Sequence, residues 1–345
     1  MKNTNKLKNI LAVLAALVCL LMAFLALGCG GQDGNNKKVA IAFANFSANW
    51  QTNGNAMKEQ LEKEGFAVDL QFADTAEQQI DQIGKMIESH PGCIVVGAVD
   101  GEKLSEVLAG AKEKDIPVIA YDRLIMNTDA VSYCANFDGE AIGEYMGEYI
   151  EAKLDLKNGA GPFNIELFAG SPGDNNAHVF FKESMRVLQP YIDRGQLVVP
   201  SGETSFEKVA IADWKPENAK ARMEKLLAGP DAGVHLDVVL APNDGSSAAL
   251  REVLASHGYG QMPLMTGLDG EDGAIKAIKE GKQSMTIAKD PTILVDKTIR
   301  MIKAVVEGTR PDINNVDTYN NGVITVPAYM CTPLIIDAEN VNDIK

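Results

Sequence analysis

The chain has 345 residues, of which 46% are hydrophobic and 23% charged, proportions that are ordinary for a globular protein of about two domains. It carries 47 Asp and Glu residues against 32 Lys and Arg, a formal net charge of −15. The phosphates of a nucleic acid would be repelled by such a surface, so the charge argues against nucleic acid as a partner.

Residues 1–29 are predicted to be an export signal. Three lysines within the first eight residues precede an uncharged apolar run over 10–27, and the run ends at Gly28-Cys29. A small residue directly before such a cysteine is typical of a lipoprotein signal, which is cut before Cys29 once its sulfur carries a diacylglycerol. A plain transmembrane anchor is the alternative, since 18 apolar residues can just span a bilayer. Residues 30–37 are predicted to be a flexible tether.

Beyond this tether, short apolar runs alternate with amphipathic stretches. The runs predict strands at 39–44, 68–73, 93–98 and 117–122, and the stretches between them predict helices at 50–64, 76–89 and 102–114. Strands that alternate with helices in this way form a parallel sheet covered by helices on both faces.

The same pattern restarts after residue 130 and predicts a second unit. Its predicted strands are at 131–138, 163–169, 197–199, 238–242, 264–268 and 284–288. Its predicted helices are at 139–154, 176–189, 216–228, 246–257, 272–281 and 292–307, and an extended segment follows at 322–336. The predicted fold class is therefore α/β, with two doubly wound parallel-sheet lobes.

Ligands of open parallel sheets bind outside the carboxyl ends of the strands. In this sequence those ends carry polar and aromatic side chains, at 45–50, 122–123, 171–176, 243–244, 269 and 289. No dinucleotide or phosphate loop follows a strand, no nucleophile elbow or HExxH motif occurs, and the four histidines are isolated from one another. We therefore predict a binding protein with no catalytic residue, no cofactor and no metal.

Three cysteines beyond the signal stand in apolar runs without CxxC spacing: Cys93, Cys134 and Cys331. They are predicted to be small core residues. A disulfide between Cys134 and Cys331 is left open by the sequence.

The polar strand ends, together with the two tryptophans of the chain, have the chemistry of a sugar site. A sugar presents a ring of hydroxyl groups and two apolar C–H faces. Aromatic rings such as those of Trp50 and Trp214 cover C–H faces, and the planar groups of Asp, Asn and Arg satisfy hydroxyls in pairs.

Four stretches carry a likeness to known proteins: IPVIAYDRLI (116–125), GPFNIELFAGSPGDNNA (161–177), ADWKPENAKARMEKLL (212–227) and NNGVITVP (320–327). Over about residues 38–336 the sequence resembles the type I periplasmic sugar-binding proteins of ABC transporters, in particular members that bind several monosaccharides or xylose. This resemblance implies two lobes joined by three crossover segments, with a sugar enclosed between the lobes.

The implied domain boundaries follow from the three crossovers, which would fall near 136–138, 287–289 and 323–327. The first lobe would comprise 38–137 and 289–322. The second lobe would comprise 138–288 and 323–345.

The resemblance also implies which residues contact the sugar. Asp122 and Arg123 would grip ring hydroxyls, and Trp50 and Trp214 would stack on the sugar. The full set carried over is Asn49, Trp50, Asp122, Arg123, Asp174, Asn175, Asn176, Trp214, Asn243, Asp269 and Lys289. Where this chain has Asn49 the relatives have an arginine, so a bidentate donor is replaced by an amide.

Structural alternatives stand beside these roles. Asp122 and Arg123 could form a surface ion pair, and either tryptophan could belong to the core. Asp174 could serve only as a helix N-cap, and Lys289 could be a solvent-exposed hinge lysine.

The function implied is that of an extracytoplasmic, lipid-anchored and monomeric receptor. It would capture an aldopyranose such as galactose, glucose, arabinose or xylose and deliver it to an ABC permease. The alternative is a sensor whose closed form docks on a chemoreceptor or a sensor kinase. A sugar-modifying hydrolase would need a carboxyl group with a raised pKa, whereas Arg123 beside Asp122 would lower it. A transcription regulator of this fold would carry a DNA-binding segment where the signal stands.

Overall fold

The computed structural model describes residues 36–45 and 48–344, without the side chains of residues 48 and 49. The predicted signal, the lipid on Cys29 and the side-chain role of Asn49 therefore lie outside the described residues. Within the described ranges, no helix combines the length and the apolar character needed to cross a membrane.

The order of elements confirms the predicted alternation of strands and helices. The strands are β1 (Lys38–Ala44), β2 (Ala67–Ala73), β3 (Cys93–Gly97), β4 (Val118–Tyr121), β5 (Val131–Phe137), β6 (Phe163–Leu167), β7 (Leu197–Val198), β8 (Val238–Leu240), β9 (Leu264–Met265), β10 (Leu268–Asp269), β11 (Met285–Ala288), β12 (Ala328–Cys331) and β13 (Leu334–Asp337). The helices are α1 (Ala48–Lys63), α2 (Ala76–Glu88), α3 (Ser105–Glu113), α4 (Gly139–Lys153), α5 (Asn175–Asp193), α6 (Phe206–Val209), α7 (Pro216–Ala228), α8 (Asp244–Ser256), α9 (Asp272–Lys279) and α10 (Pro291–Val306).

The first lobe is built on a six-stranded sheet in the order β2-β1-β3-β4-β5-β12, in which every pairing is parallel. The side chains of alternate residues of β1 point to opposite faces of the sheet. Ile41 and Phe43 pack into a core with Met57 of α1, whereas Ala40 packs with Ile83 of α2 on the other face. Both faces of β1 are buried, which explains why its sequence is a continuous apolar run.

The second lobe contains a four-stranded parallel sheet, β7-β6-β8-β9, and a three-stranded sheet, β10-β11-β13. The last pairing, β11 with β13, is antiparallel. The single strand predicted at 264–268 is thus two short strands in different sheets. The chain changes sheet at Gly267, where a Cβ atom would lie 2.1 Å from Oδ1 of Asp244, so a residue without a side chain is required.

Three crossovers join the lobes, as predicted, but the third lies later in the chain than expected. The first runs from β5 into α4, and the second from β11 into α10, which packs against α1. The strand β12 still pairs with β5 of the first lobe, and only β13 joins the second. The boundary predicted at residue 323 is therefore too early, because Ala328–Cys331 completes the first sheet.

The three described cysteines are buried and free. This confirms that they are core residues. It also answers the question that the sequence left open, because Cys134 and Cys331 do not form a disulfide.

One buried carboxyl pair in the second lobe makes stability depend on pH. Glu166 of β6 is fully buried and accepts hydrogen bonds from the backbone N–H and the hydroxyl of Ser201, each at 2.9 Å. Asp231 is also buried in this lobe, and neither of its carboxyl oxygens has a hydrogen-bond partner among the described residues. Burial, reinforced by the charge of Asp231, raises the pKa of Glu166 to about 7.

Because this pKa is higher in the folded than in the unfolded chain, the stabilisation is complete below pH ~4.5 and is lost as pH rises through about 7. We expect the free energy of unfolding to fall between pH 5 and pH 8. Glu166→Gln should reduce this fall, because the amide of glutamine has no titrating proton. Part should persist, since burial and Asp269 also raise the pKa of Asp244 to about 7. Denaturant titrations across this pH range measure the effect. An unchanged slope in Glu166→Gln would contradict the assignment, and the exposed Glu339→Gln is the control.

Candidate ligand-binding site

A cavity of about 950 Å³ lies where the carboxyl ends of the strands of the two lobes meet. Asn45, Val99 and Asp122 reach it from the first lobe, following β1, β3 and β4. Ser171 and Asn243 reach it from the second lobe, following β6 and β8. The cavity therefore occupies the position that parallel sheets provide for a ligand.

The structure brings nine of the eleven predicted contact residues to this one cavity. They are Trp50, Asp122, Arg123, Asp174, Asn176, Trp214, Asn243, Asp269 and Lys289. Asn175 is not among the lining residues, because neighbouring positions of a helix point in different directions and it is Asn176 that faces the cavity. Asn49 cannot be placed, since its side chain lies outside the described residues.

Trp50 lines the first-lobe side of the cavity and is held by aromatic neighbours. Its ring meets those of Phe43 and Tyr121 edge to face, at centroid distances of 5.7 Å and 6.0 Å. It also lies directly on Gly97 at the end of β3, where a Cβ atom would be 2.4 Å from Cζ3 of the indole. A glycine at the end of the strand thus makes room for the ring.

Trp214 lines the second-lobe side in a similar manner. Its indole lies on Gly170, where a Cβ atom would be only 2.0 Å from Cη2 of the ring. Its backbone is left-handed, with φ at 56°, which is rare for a bulky residue. Its Nε1 donates a hydrogen bond of 3.1 Å to Oδ2 of Asp174. The orientation of this ring is therefore determined by both steric contact and hydrogen bonding.

Asp122, Asp269 and Lys289 form a charged group in the wall of the cavity. The Lys289 ammonium lies 3.1 Å from Oδ1 of Asp269 and 3.6 Å from Oδ1 of Asp122. Burial disfavours the ammonium, but the two carboxylates outweigh it and raise the pKa of Lys289, so the lysine is charged. Asp122 and Asp269 have φ values of 59° and 100°. Strained backbone at both carboxylates is typical of functional positions.

Arg123, Asp174 and Asn176 join the two lobes. Nε of Arg123 lies 3.0 Å from Oδ2 of Asp174, and both side chains are buried. Nδ2 of Asn176 donates to the backbone oxygen of Asp122 at 2.6 Å. Asp174 is the N-cap of α5, the structural role that the sequence suggested as an alternative. It also contacts Arg123 and Trp214.

Two residues behind Asn176 were missed by sequence reasoning. Nδ2 of Asn136, at the end of β5, donates to Oδ1 of Asn176 at 3.0 Å and also contacts the Tyr319 hydroxyl. The Tyr319 hydroxyl in turn donates to Oδ1 of Asn176 at 3.3 Å. Asn136 could have been predicted as a site residue from its position at the end of a strand. No local sequence pattern indicates such a role for Tyr319.

Asn243 and Asp244 begin α8 at the floor of the second lobe. Asn243 is the N-cap, since its Oδ1 accepts from the backbone N–H of Ser246 at 3.0 Å. Asp244 is buried beneath the cavity and accepts hydrogen bonds from Gln283 and Thr286, each at 2.8 Å. Asp244 therefore supports the site from below, and Asn243 lies in the lining itself.

These features define a two-lobed α/β binding protein with its ligand cavity between the lobes. A sequence model described as a periplasmic binding protein domain matches residues 39–310. The chain belongs to this family, and its fold is that of the type I periplasmic binding proteins.

Individual relatives agree with this assignment. The multiple sugar-binding periplasmic receptor ChvE of Rhizobium radiobacter is 41% identical over 97% of this chain and 95% of that protein. The multiple sugar-binding periplasmic protein SbpA of Azospirillum brasilense is 43% identical over 85% of this chain and 84% of that protein. A solved ABC transporter solute-binding protein from Clostridium phytofermentans, with bound β-D-glucose, has a TM-score of 0.85 and 42% identity, covering 89% of this chain and 95% of that one. The chain is accordingly an extracytoplasmic binding protein and not an enzyme.

Proposed function

We propose that the protein captures a monosaccharide in the cavity between its lobes and delivers it to an ABC permease. The observation that carries this proposal is the pair of indoles, Trp50 and Trp214, one from each lobe, at a single cavity that also holds Asp122, Asp269 and Lys289. Flat aromatic faces suit the C–H surfaces of a sugar, and charged hydrogen-bonding groups suit its hydroxyls.

The relatives support a sugar of the aldopyranose class, such as galactose, glucose, arabinose or xylose. ChvE and SbpA are both named as multiple sugar-binding proteins, and the Clostridium phytofermentans structure contains β-D-glucose. All three share more than 40% of their residues with this chain, so a cavity of similar chemistry is expected.

In this proposal the two tryptophans stack on the sugar, while Asp122, Asn176, Asn243, Asp269 and Lys289 supply hydrogen bonds to hydroxyls. Each of these polar side chains is part of the cavity lining. Asn49 is proposed as a further contact, from the resemblance alone, and Asn175 is left out because it does not line the cavity.

The proposal places the protein at the outer face of a membrane as a monomer, anchored through a diacylglycerol on Cys29. Its support is the sequence around Gly28-Cys29, which follows an uncharged apolar run. Mass spectrometry of the exported protein detects the modification of this cysteine directly. An unmodified N-terminus would contradict the proposed lipid anchor.

The experiment that tests the sugar proposal is calorimetric titration of residues 30–345 with galactose, glucose, arabinose, xylose, fucose, ribose and galacturonate. We expect micromolar or tighter binding to several aldopyranoses. If protein that unfolds cooperatively bound none of these sugars, the proposed ligand class would be wrong. Cooperative unfolding is the control, because it separates a missing ligand from a misfolded sample.

A further inference from the structure

Asp244 is a buried carboxyl group beneath the cavity, and it has no part in the sugar contacts proposed above. It is the first residue of α8 and is only 2% exposed. Its Oδ2 accepts from the backbone N–H of Glu271 at 3.0 Å and from the Thr286 hydroxyl at 2.8 Å, and its Oδ1 accepts from Nε2 of Gln283 at 2.8 Å. A buried carboxylate is costly unless such donors compensate it, so this arrangement calls for an explanation.

Two of these contacts support the turn that carries Asp269. The strand β10 ends at Asp269 and has only two residues, so its ladder with β11 fixes little of the turn that follows. Asp269 and Gly270 have φ values of 100° and 72°, and such a backbone at a residue with a side chain depends on its surroundings. The N–H of Gly270 donates to the Thr286 hydroxyl at 3.3 Å, and the N–H of Glu271 donates to Asp244 itself. Asp244 therefore connects α8 to both amide groups that follow Asp269.

The orientation of Gln283 determines which charge state of Asp244 fits this network. Its Oε1 accepts from Nη1 of Arg251, so its amide nitrogen faces Asp244 and can only donate. The backbone N–H of Glu271 can only donate as well. Thr286 alone could accept a proton from Asp244, and its own hydroxyl proton would then lose the carboxylate to which it donates. The network is therefore complete only when Asp244 is ionised.

The electrostatic surroundings of Asp244 oppose this ionised form. Burial, and then the charge of Asp269, raise the pKa of Asp244 to about 7 although its three donors act in the opposite direction. Burial and the same charge also raise the pKa of Glu271. The nearby cations are Lys289, which lies 3.1 Å from Asp269, and Arg251, which lies behind the glutamine amide. The charge of Asp244 therefore changes within the neutral pH range.

We propose that Asp244 is a positioning residue for sugar binding, which in its ionised form holds the turn that presents Asp269 to the cavity and on protonation weakens both this support and the binding of sugar. The inference rests on the proposed sugar-binding function and adds a pH dependence to it. Because the ionised form supports the turn, affinity should be highest above about pH 7 and should fall below it. By the same linkage, capture of the sugar should release a fraction of a proton near neutral pH.

The experiment is a calorimetric titration at pH 8 and pH 6 with the sugar of the panel that wild type binds most tightly. For wild type we expect a roughly tenfold loss of affinity between these two values. Asp244→Asn keeps the shape of the side chain, but its NH₂ group must face at least one of the donors Gln283, Thr286 and Glu271. We expect this variant to bind roughly tenfold more weakly than wild type at pH 8 and equally at pH 6.

Glu166→Gln is the matched control. It also removes a buried carboxyl group of the second lobe with a pKa of about 7, but Glu166 is not part of the cavity lining. It should keep the wild-type dependence of affinity on pH. His178 is a further group to separate, because its Nε2 lies 2.8 Å from the backbone oxygen of the lining residue Pro172. Since Asp244→Asn retains His178, a wild-type pH dependence that persists in this variant would overturn the role of Asp244.

A second variant keeps the test decisive if Asp244→Asn fails to fold. Thr286→Val has nearly the same shape but removes the hydroxyl that donates to Asp244 and accepts from Gly270. A carboxyl group with fewer donors is harder to ionise, so the midpoint of the pH profile of affinity should move to higher pH. An unchanged midpoint in folded Thr286→Val would overturn the inference. Sugar binding by wild type that does not depend on pH would overturn this inference alone, whereas no binding at either pH would overturn the proposed function as well.

Discussion

Replacing Lys289 with methionine is expected to weaken sugar binding by roughly a hundredfold and to lower the free energy of unfolding by about 3–5 kcal/mol. The ammonium lies between Asp122 and Asp269 at 3.6 Å and 3.1 Å, and its side chain is mostly buried. Methionine has a similar length and no charge. Its substitution leaves two carboxylates facing each other without a cation, at the position where they should receive the hydroxyls of the sugar.

Lys297→Met is the matched control for this substitution. Lys297 is also a partly buried lysine, paired with Asp312 at 3.6 Å and lying over the ring of Tyr329, but it is not part of the cavity lining. It should lose little stability and no sugar affinity. Calorimetry and denaturant titration at pH 7 measure both effects. If Lys289→Met bound sugar as wild type does, the charged group would not belong to the site.

Most of the fold could be predicted because the relevant signals are local. The inner strands β1, β3 and β4 of the first sheet are buried on both faces, so the sequence of each is a short apolar run, and helices fill the intervals. The errors concern pairing between distant segments. Nothing within the run at 328–331 tells whether it pairs with β5 or with β11, and residues 264–268 give no sign of the sheet change at Gly267. These outcomes are decided by tertiary contacts.

The position of the site could be predicted from the ends of the strands, but the network of contacts within it could not. The rule for parallel sheets is sufficient to bring Asp122, Asn243 and Lys289 to one cavity. It cannot indicate that Asp174 is occupied by Arg123 and Trp214, because those partners come from distant parts of the chain.

Residues that act behind the lining are the hardest to predict. Tyr319 reaches Asn136 across 183 positions of sequence and lies in a segment without regular structure. Gly97 and Gly170 read in the sequence as ordinary ends of apolar runs. Their importance follows only from the indoles that lie against them.

Gly170→Ala is the second substitution for which we expect a large effect. Its backbone does not have the positive φ that would require glycine, so the obstacle to a side chain is the indole itself. The new methyl group would lie 2.0 Å from Cη2 of Trp214, which forces the ring to move by more than an ångström. We expect sugar affinity to fall roughly tenfold to a hundredfold through lost stacking, and stability to fall by about 1–3 kcal/mol through overpacking.

A double-mutant cycle with Trp214→Ala identifies the cause of this loss. If Gly170 acts only by making room for the indole, then Gly170→Ala should have no further effect on affinity once the ring is gone. Gly84→Ala is the control, because Gly84 lies inside α2 with no atom within 4 Å of the new methyl group. It should stabilise the protein by about 0.5–1 kcal/mol and leave sugar binding unchanged. Equal losses from Gly170→Ala with and without Trp214 would mean that the loss does not arise from displacement of the indole, and the proposed role of Gly170 would be wrong.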